Sequence, residues 1–317
     1  MKASHNLARV AMTFDDDTLL PNGGLAVAAL LAQRLGVADL VDEHVTVVGE
    51  AGANSGAKAA TVIGTALAGG DCIDDTRVLQ AGATRRLFDG VRAASTVGIW
   101  LRAFVWASVR QLDRVTRELL RRAWQAGLGP DLDADLTIDI DSTVCETYGL
   151  AKQGGQAFAY TGVRGYHPLL ASLAQTGELL HARLRGGSAN TGRGAASFVA
   201  ETISRVRHAG ATGQLTLRAD SGFYTGAVIS TCRRHDVRYS ITARKNRSIQ
   251  RAIDQIPEHD WVPIPYWLDG GADVAETTYT AFAGTRHETT ARLIVRRVRP
   301  TPGASWRSTW CSPITRS

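Results

Sequence analysis

The segment LTIDIDSTV, residues 136–144, constrains the fold more than any other stretch, because Leu136, Ile138 and Ile140 alternate strictly with Thr137, Asp139 and Asp141. A period of two sends the apolar set to one face and the polar set to the other, as in a strand lying on a core. Two carboxylates therefore leave this strand on the same side. Upstream the rhythm is different. From Gly24 to about Gly127, the runs GLAVAALLAQRLGV, AKAATVIGTALAGG and TVGIWLRAFVWASVRQLDRVTRELLRRAWQAG place apolar residues three and four apart, which predicts helices. Gly127, Gly129 and Pro130 close that region, and the acidic linker DLDAD follows.

Beyond the linker, GYHPLLASLAQTGELLHARLRGG reads as two strands around a Gln175-Thr176-Gly177 turn. RGAASFVAETISRVRHAG is an amphipathic helix ending at Gly210, QLTLRAD a strand ending on Asp220, SGFYTGAVISTCRRHD a helix and VRYSITAR a strand. The predicted order β-β-β-α-β-α-β makes a mixed α/β sheet with flanking helices, the ribonuclease H-like order, in which the first and fourth strands are neighbours. After Ser248 a short helix, IQRAIDQI, precedes the β-like runs VPIPYWL, ETTYTAFAG and ARLIVRRV. The final stretch, PTPGASWRSTWCSPITRS, has no periodicity and no element to complete a core. The expected division is a helical domain over 1–130, a catalytic domain over 131–248, an incomplete β-rich insertion over 249–300 and an aberrant tail over 301–317.

Charge is unevenly spread. Residues 1–50 carry three basic and seven acidic side chains, whereas residues 181–250 carry twelve basic ones against Glu201, Asp220 and Asp236. A basic face beside isolated carboxylates suits a polyanion held by its phosphates. The scarcity of lysine, four in all, follows from a GC-rich genome, which does not account for the clustering. On the last predicted helix Arg110, Arg114, Arg117, Arg121 and Arg122 are spaced so that several share one side, either solvated or against phosphate. Cys72, Cys145, Cys232 and Cys311 form no CxxC pair, so reduced thiols are expected. The start, MKASHNLARVAMTFDDD, lacks an apolar signal core and no run is long enough to span a bilayer, which points to the cytoplasm.

Acids at strand ends without a His or thiolate cluster suit a hard divalent cation with oxygen ligands. Asp141 and Asp220 form the best pair on topology, and Asp139, on the same strand face, is the rival for the first position. Structural roles compete: a turn cap through Ser142 or Thr143 for Asp141, and a helix N-cap for Asp220. GGSANTGRGAA opens a helix yet has neither nucleotide-binding glycine spacing. Trp100, Trp106 and Trp124 sit at apolar helix positions and read as core.

The strings IDIDSTVCETYGLAKQGG, FAYTGVRGYHPLLAS, ARLRGGSANTGRGAASFV and LRADSGFYTGAV resemble the DDE transposases of bacterial insertion sequences, specifically the family numbered 1380, from about residue 20 to about residue 300. The N-terminal GGLAVAALLAQRLGVADLVDEHV, GDCIDD and STVGIWLRAF are similar to the same family. The resemblance implies a helical part that grips terminal inverted repeats of double-stranded DNA and a ribonuclease H-like domain interrupted by a β-rich insertion. It also implies Mg²⁺ (or Mn²⁺) held by Asp141 and Asp220, and a homodimer that pairs two element ends. The family's third acid, a Glu on a helix beyond the insertion, has no counterpart, since Glu276 and Glu288 both lie in β-like stretches. A frameshift or premature stop near residue 303 is therefore expected. The alternative function is a non-catalytic regulator that occupies the repeats.

Overall fold

Nine strands in one sheet carry the second part of the chain, in a computed structural model that describes residues 13–314 apart from 14, 17, 89, 149–151 and 156–161. Most of the opening segment read for a signal core lies outside the described residues. Two compact units, Met1–Ala123 and Trp124–Ser317, make up the chain.

The first unit is helical: α1 (Leu25–Leu35), α2 (Val37–His44), α3 (Ser55–Leu67), α4 (Ala94–Arg102) and α5 (Trp106–Ala123). Leu40, Val41, Val45, Val47, Ala59, Trp100 and Val115 form its core. α1 stops where Gly36 takes φ +68°, and Arg122 caps it by donating to the Leu35 carbonyl at 2.9 Å. Thr96–Gly127, read above as one helical run, is broken after α4; there the Val105 N–H donates to Ser108 Oγ at 3.4 Å and a new helix starts. That restart corrects one tryptophan. Trp100 is 3% and Trp124 3% exposed, as expected, but Trp106 opens α5 and is 77% exposed. No described helix is long and apolar enough to cross a membrane.

In the second unit the strands are β1 (Leu136–Ser142), β2 (Cys145–Glu146), β3 (Gly165–Tyr166), β4 (Leu169–Leu173), β5 (Leu179–Arg183), β6 (Leu215–Ala219), β7 (Arg238–Ile241), β8 (Val262–Ile264), β9 (Ala272–Ala281), β10 (Thr289–Val298) and β11 (Arg307–Ile314). The helices are α6 (Ala195–His208), α7 (Gly226–Arg234) and α8 (Arg247–Asp254). The large sheet runs β5-β4-β1-β6-β7-β11-β10-β9-β8, and β2 and β3 pair separately. β1 is antiparallel to β4 and β4 to β5, whereas β1, β6 and β7 are mutually parallel. That is the ribonuclease H-like arrangement. Its interior follows the alternation: Leu136, Ile138 and Ile140 are at most 3% exposed while Asp141 faces water. α6 lies against β4, β5 and α7, burying Phe198, Val199, Ile203 and Val206.

Burial sets thiol chemistry here. Cys232 on α7 is fully buried, and desolvation pushes its pKa up to about 12, whereas Cys72 and Cys145 are exposed. Alkylation of the native protein, mapped by mass spectrometry, is expected to mark Cys72 and Cys145 and spare Cys232 until denaturant is added. Equal labelling of all three in native buffer would refute this packing.

The stretch after residue 301, read above as lacking any element, holds β11, which pairs along β10 and touches β7 through Ile314↔Ser240. Ser312 is buried there with its Oγ 3.3 Å from Ser240 Oγ. A strand bounded on both edges takes its order from its neighbours, so its own sequence need not alternate. The insertion strands are thereby continuous with the sheet. Their core is Ala243, Ile249, Ile253, Ile256, Ala275, Leu293 and Val295, covered by α8.

Candidate active site

β1, β6 and β7 are parallel, so their carboxyl ends open on the same edge of the sheet. Two of the three present an acid there. The pairing of Ile140 with Ala219 is the last in the β1–β6 register. One step on, Asp141 stands one residue before the end of β1, and Asp220 continues β6 with extended backbone, φ −77° and ψ 179°. Neighbouring strands run about 4.8 Å apart, so two acids some 80 residues apart in sequence share one edge. Both are exposed.

Each carboxylate is oriented by one backbone amide. The Ser142 N–H donates to Asp141 Oδ1 at 2.7 Å, and the Gly222 N–H donates to Asp220 Oδ1 at 2.9 Å, capping the short 3₁₀ turn Ser221–Phe223. The capping roles weighed from sequence are thus present, but each occupies a single oxygen. Among the described residues, Oδ2 of both accepts no hydrogen bond, which leaves it open to a ligand.

Asp139 differs. Arg218, its partner in the parallel register, donates Nε to Oδ1 and Nη2 to Oδ2, both at 2.6 Å. These bonds hold Arg218 above the ordinary guanidinium pKa and use both Asp139 oxygens. Sequence alternation cannot see this pair, since it needs the β1–β6 register.

Other acids are committed elsewhere. Glu201 on α6 pairs with Arg183 and lies 3.3 Å from His181 Nε2. Glu276 pairs with Arg292 at 3.3 Å across β9 and β10, and Glu288 accepts from the Gly284 N–H at 2.7 Å. Among the described residues, the one grouping of three ligand-type side chains is Asp71, Cys72 and Asp75, in the helical unit. There Asp75 accepts from the amides of Asp71 and Cys72 and from the Cys72 thiol, which is the start of a 3₁₀ segment. Asp141 and Asp220 belong to no such threesome.

Cations border the same edge. β7 ends level with β6, since Ala219 pairs with Ile241, and the chain leaves it through Arg244, Lys245 and Arg247. These three and Arg193, ahead of α6, are exposed and pair with no carboxylate among the described residues. Two features escaped the sequence reading: Thr191 Oγ1 lies 3.3 Å from Ser142 Oγ, and a Cβ placed on Gly222 would stand 2.8 Å from Thr191 Cβ. The glycine-rich segment 186–194, read from sequence only as opening a helix without nucleotide-binding spacing, therefore walls the site. Its glycine content was the one available signal.

Oxygen donors on adjoining strand ends, joined by no His or Cys in a ligand grouping among the described residues, fit a hard divalent cation. The model of a family described as Transposase DDE domain group 1 matches residues 3–313. Among solved structures, the chain is similar to a piggyBac transposase in a synaptic complex with hairpin DNA, at 12% identity and a TM-score of 0.39. The match covers 97% of this chain and 54% of that one, so this chain spans about half the length of the solved relative. At that score the likeness carries no argument, and the fold rests on its own strand order. No curated protein matches.

Proposed function

The chain belongs to the family described as Transposase DDE domain group 1, and from that premise we propose that it cuts DNA at the ends of an insertion sequence and joins the freed 3′ hydroxyl to target DNA. The observation that carries the reading is the meeting of Asp141 and Asp220 at one sheet edge, each with an open oxygen, while Asp139 is spent on Arg218. Asp141 and Asp220 would hold Mg²⁺ or Mn²⁺. When bound, such ions activate the attacking oxygen and stabilise the leaving one in phosphodiester displacement. The chain's own residues bind and orient. Arg193, Arg244, Lys245 and Arg247 hold backbone phosphates beside the acids, where phosphate contacts set register without reading sequence.

The helical unit is proposed to grip the terminal inverted repeats. On α5, Arg110 is tied to Asp113, and Arg121 and Arg122 to Glu118, so Arg114 and Arg117, with no carboxylate partner among the described residues, are proposed to meet phosphate. The insertion-sequence family numbered 1380, a homodimer that pairs two ends and a cytoplasmic location complete the proposal.

A second reading has one observation in its favour: among the described residues Asp141 and Asp220 join no third ligand. A chain that binds element ends without cutting them would act as a regulator of transposition. The test uses the full chain with duplexes drawn from the DNA flanking its coding segment. Nicking that requires Mg²⁺ or Mn²⁺ supports the transposase; specific binding with no nicking in either metal supports the regulator.

A further inference from the structure

Arg185 lies just past β5 and heads the glycine-rich segment. Its guanidinium faces no carboxylate among the described residues. Instead Nε donates to the His167 carbonyl at 2.9 Å, and Nη1 donates to the carbonyls of Asn190 (2.9 Å), Thr191 (3.4 Å) and Arg193 (2.8 Å). Nη2 is enclosed and has no hydrogen-bond partner among the described residues. Burial first, and then Arg183 and Arg193 nearby, hold the Arg185 pKa below its ordinary value. A half-buried guanidinium with one nitrogen enclosed and no counter-ion among the described residues carries a desolvation cost, so its place calls for a reason.

The reason lies in what it gathers. Residues 186–194 include Gly186, Gly187, Gly192 and Gly194 and form no helix or strand, so their backbone would otherwise sample many states. Three of the four carbonyls on Arg185 come from this segment. Within it, Thr191 touches the chain beside both candidate ligands: its hydroxyl meets Ser142, the residue after Asp141, and its side chain fills the space over Gly222, two residues after Asp220. Gly192 lies close to the same turn and to the start of α7, since a Cβ there would stand 3.7 Å from the Gly222 carbonyl and 3.3 Å from Thr225 Cγ2.

We propose that Arg185 is a positioning residue for the Asp141–Asp220 centre, holding Thr191 as the spacer between the end of β1 and the Asp220 turn. The inference rests on the reading of those two acids as cation ligands. Carboxylates on different strands serve a shared cation site only if held to about 0.5 Å, and the β1–β6 ladder stops at Ile140↔Ala219, one residue short of both acids, so the chain beyond it is braced by Thr191 against Ser142 and Gly222.

The test titrates the full chain with Mn²⁺ alone, followed by electron paramagnetic resonance of the free ion, well below the melting temperature of every variant. Wild type is expected to bind and Asp220→Ala to lose binding. Arg185→Met should bind at least tenfold more weakly, and Arg185→Lys should recover part of the loss, because an ammonium still reaches two of the carbonyls. Thr191→Val should weaken binding in the same direction. A merely structural Arg185 would lower the melting temperature and leave Mn²⁺ affinity unchanged. If Arg185→Met fails to fold, Arg185→Lys and Thr191→Val decide in its place. Equal binding by wild type and the Arg185 and Thr191 variants, with loss in Asp220→Ala, overturns the role of Arg185 and leaves the metal reading standing. No binding by wild type, or full binding by Asp220→Ala, overturns both.

Discussion

Asp220→Ala is expected to reduce metal-dependent nicking of an end-containing duplex by about 10³-fold or more, equivalent to about 4 kcal/mol of lost transition-state stabilisation. Binding of the same duplex, read by gel shift in chelator, should stay within about threefold, because phosphate contacts by arginine and lysine supply that affinity. Asp141→Ala should match it. Asp139→Asn should fall far less, since its oxygens serve Arg218 and neither is open to a cation. The comparison is decisive for the first position. Should Asp139→Asn abolish nicking while Asp141→Ala retains it, the assignment passes to Asp139.

The second large effect is on stability. Arg297 on β10 donates to Asp273 at 2.9 Å and to both oxygens of Glu258, and its guanidinium lies over the Trp261 and Trp306 rings, 4.2 and 4.4 Å from their centroids. Arg297 is 8% and Asp273 7% exposed, so removal of the cation strands a buried carboxylate. Arg297→Met is expected to cost about 3–5 kcal/mol, because an unpaired buried charge loses more than the pair itself contributes. For a unit of this size the melting temperature should fall on the order of 10 °C. A drop of under 2 °C in calorimetry would show that the stacked cluster is replaceable.

The same cluster carries a pH signature. Hydrogen bonds from Arg297 hold the Glu258 carboxyl below its ordinary value of 4.5. With the folded pKa depressed, the contribution is fully present above pH 4.5 and is lost as pH falls through the lower folded value. Arg297→Met should therefore flatten the acid side of the stability profile below about pH 4.5.

Much of the architecture was legible because its local signals agreed with the global arrangement. The β1 alternation, the Gln175-Thr176-Gly177 turn and the amphipathic period of α6 each name an element without knowledge of its neighbours. β11 was not legible, since its order comes from lying between β10 and β7. Trp106 was misread for a related reason: its apolar character fits a helix, but the break before α5 turns it to solvent.

At the site, the sequence by itself determined that Asp139 and Asp141 leave β1 on the same side and that Asp220 ends a strand. Those are consequences of period and punctuation, which act within a few residues. The tertiary structure decided the rest. Only the parallel β1–β6 register joins Asp139 to Arg218 and brings Asp141 level with Asp220, and only the return of the chain through residues 185–194 sets Thr191 against Ser142 and Gly222. Such pairings depend on contacts between residues about 50 to 80 positions apart, and no local pattern encodes them.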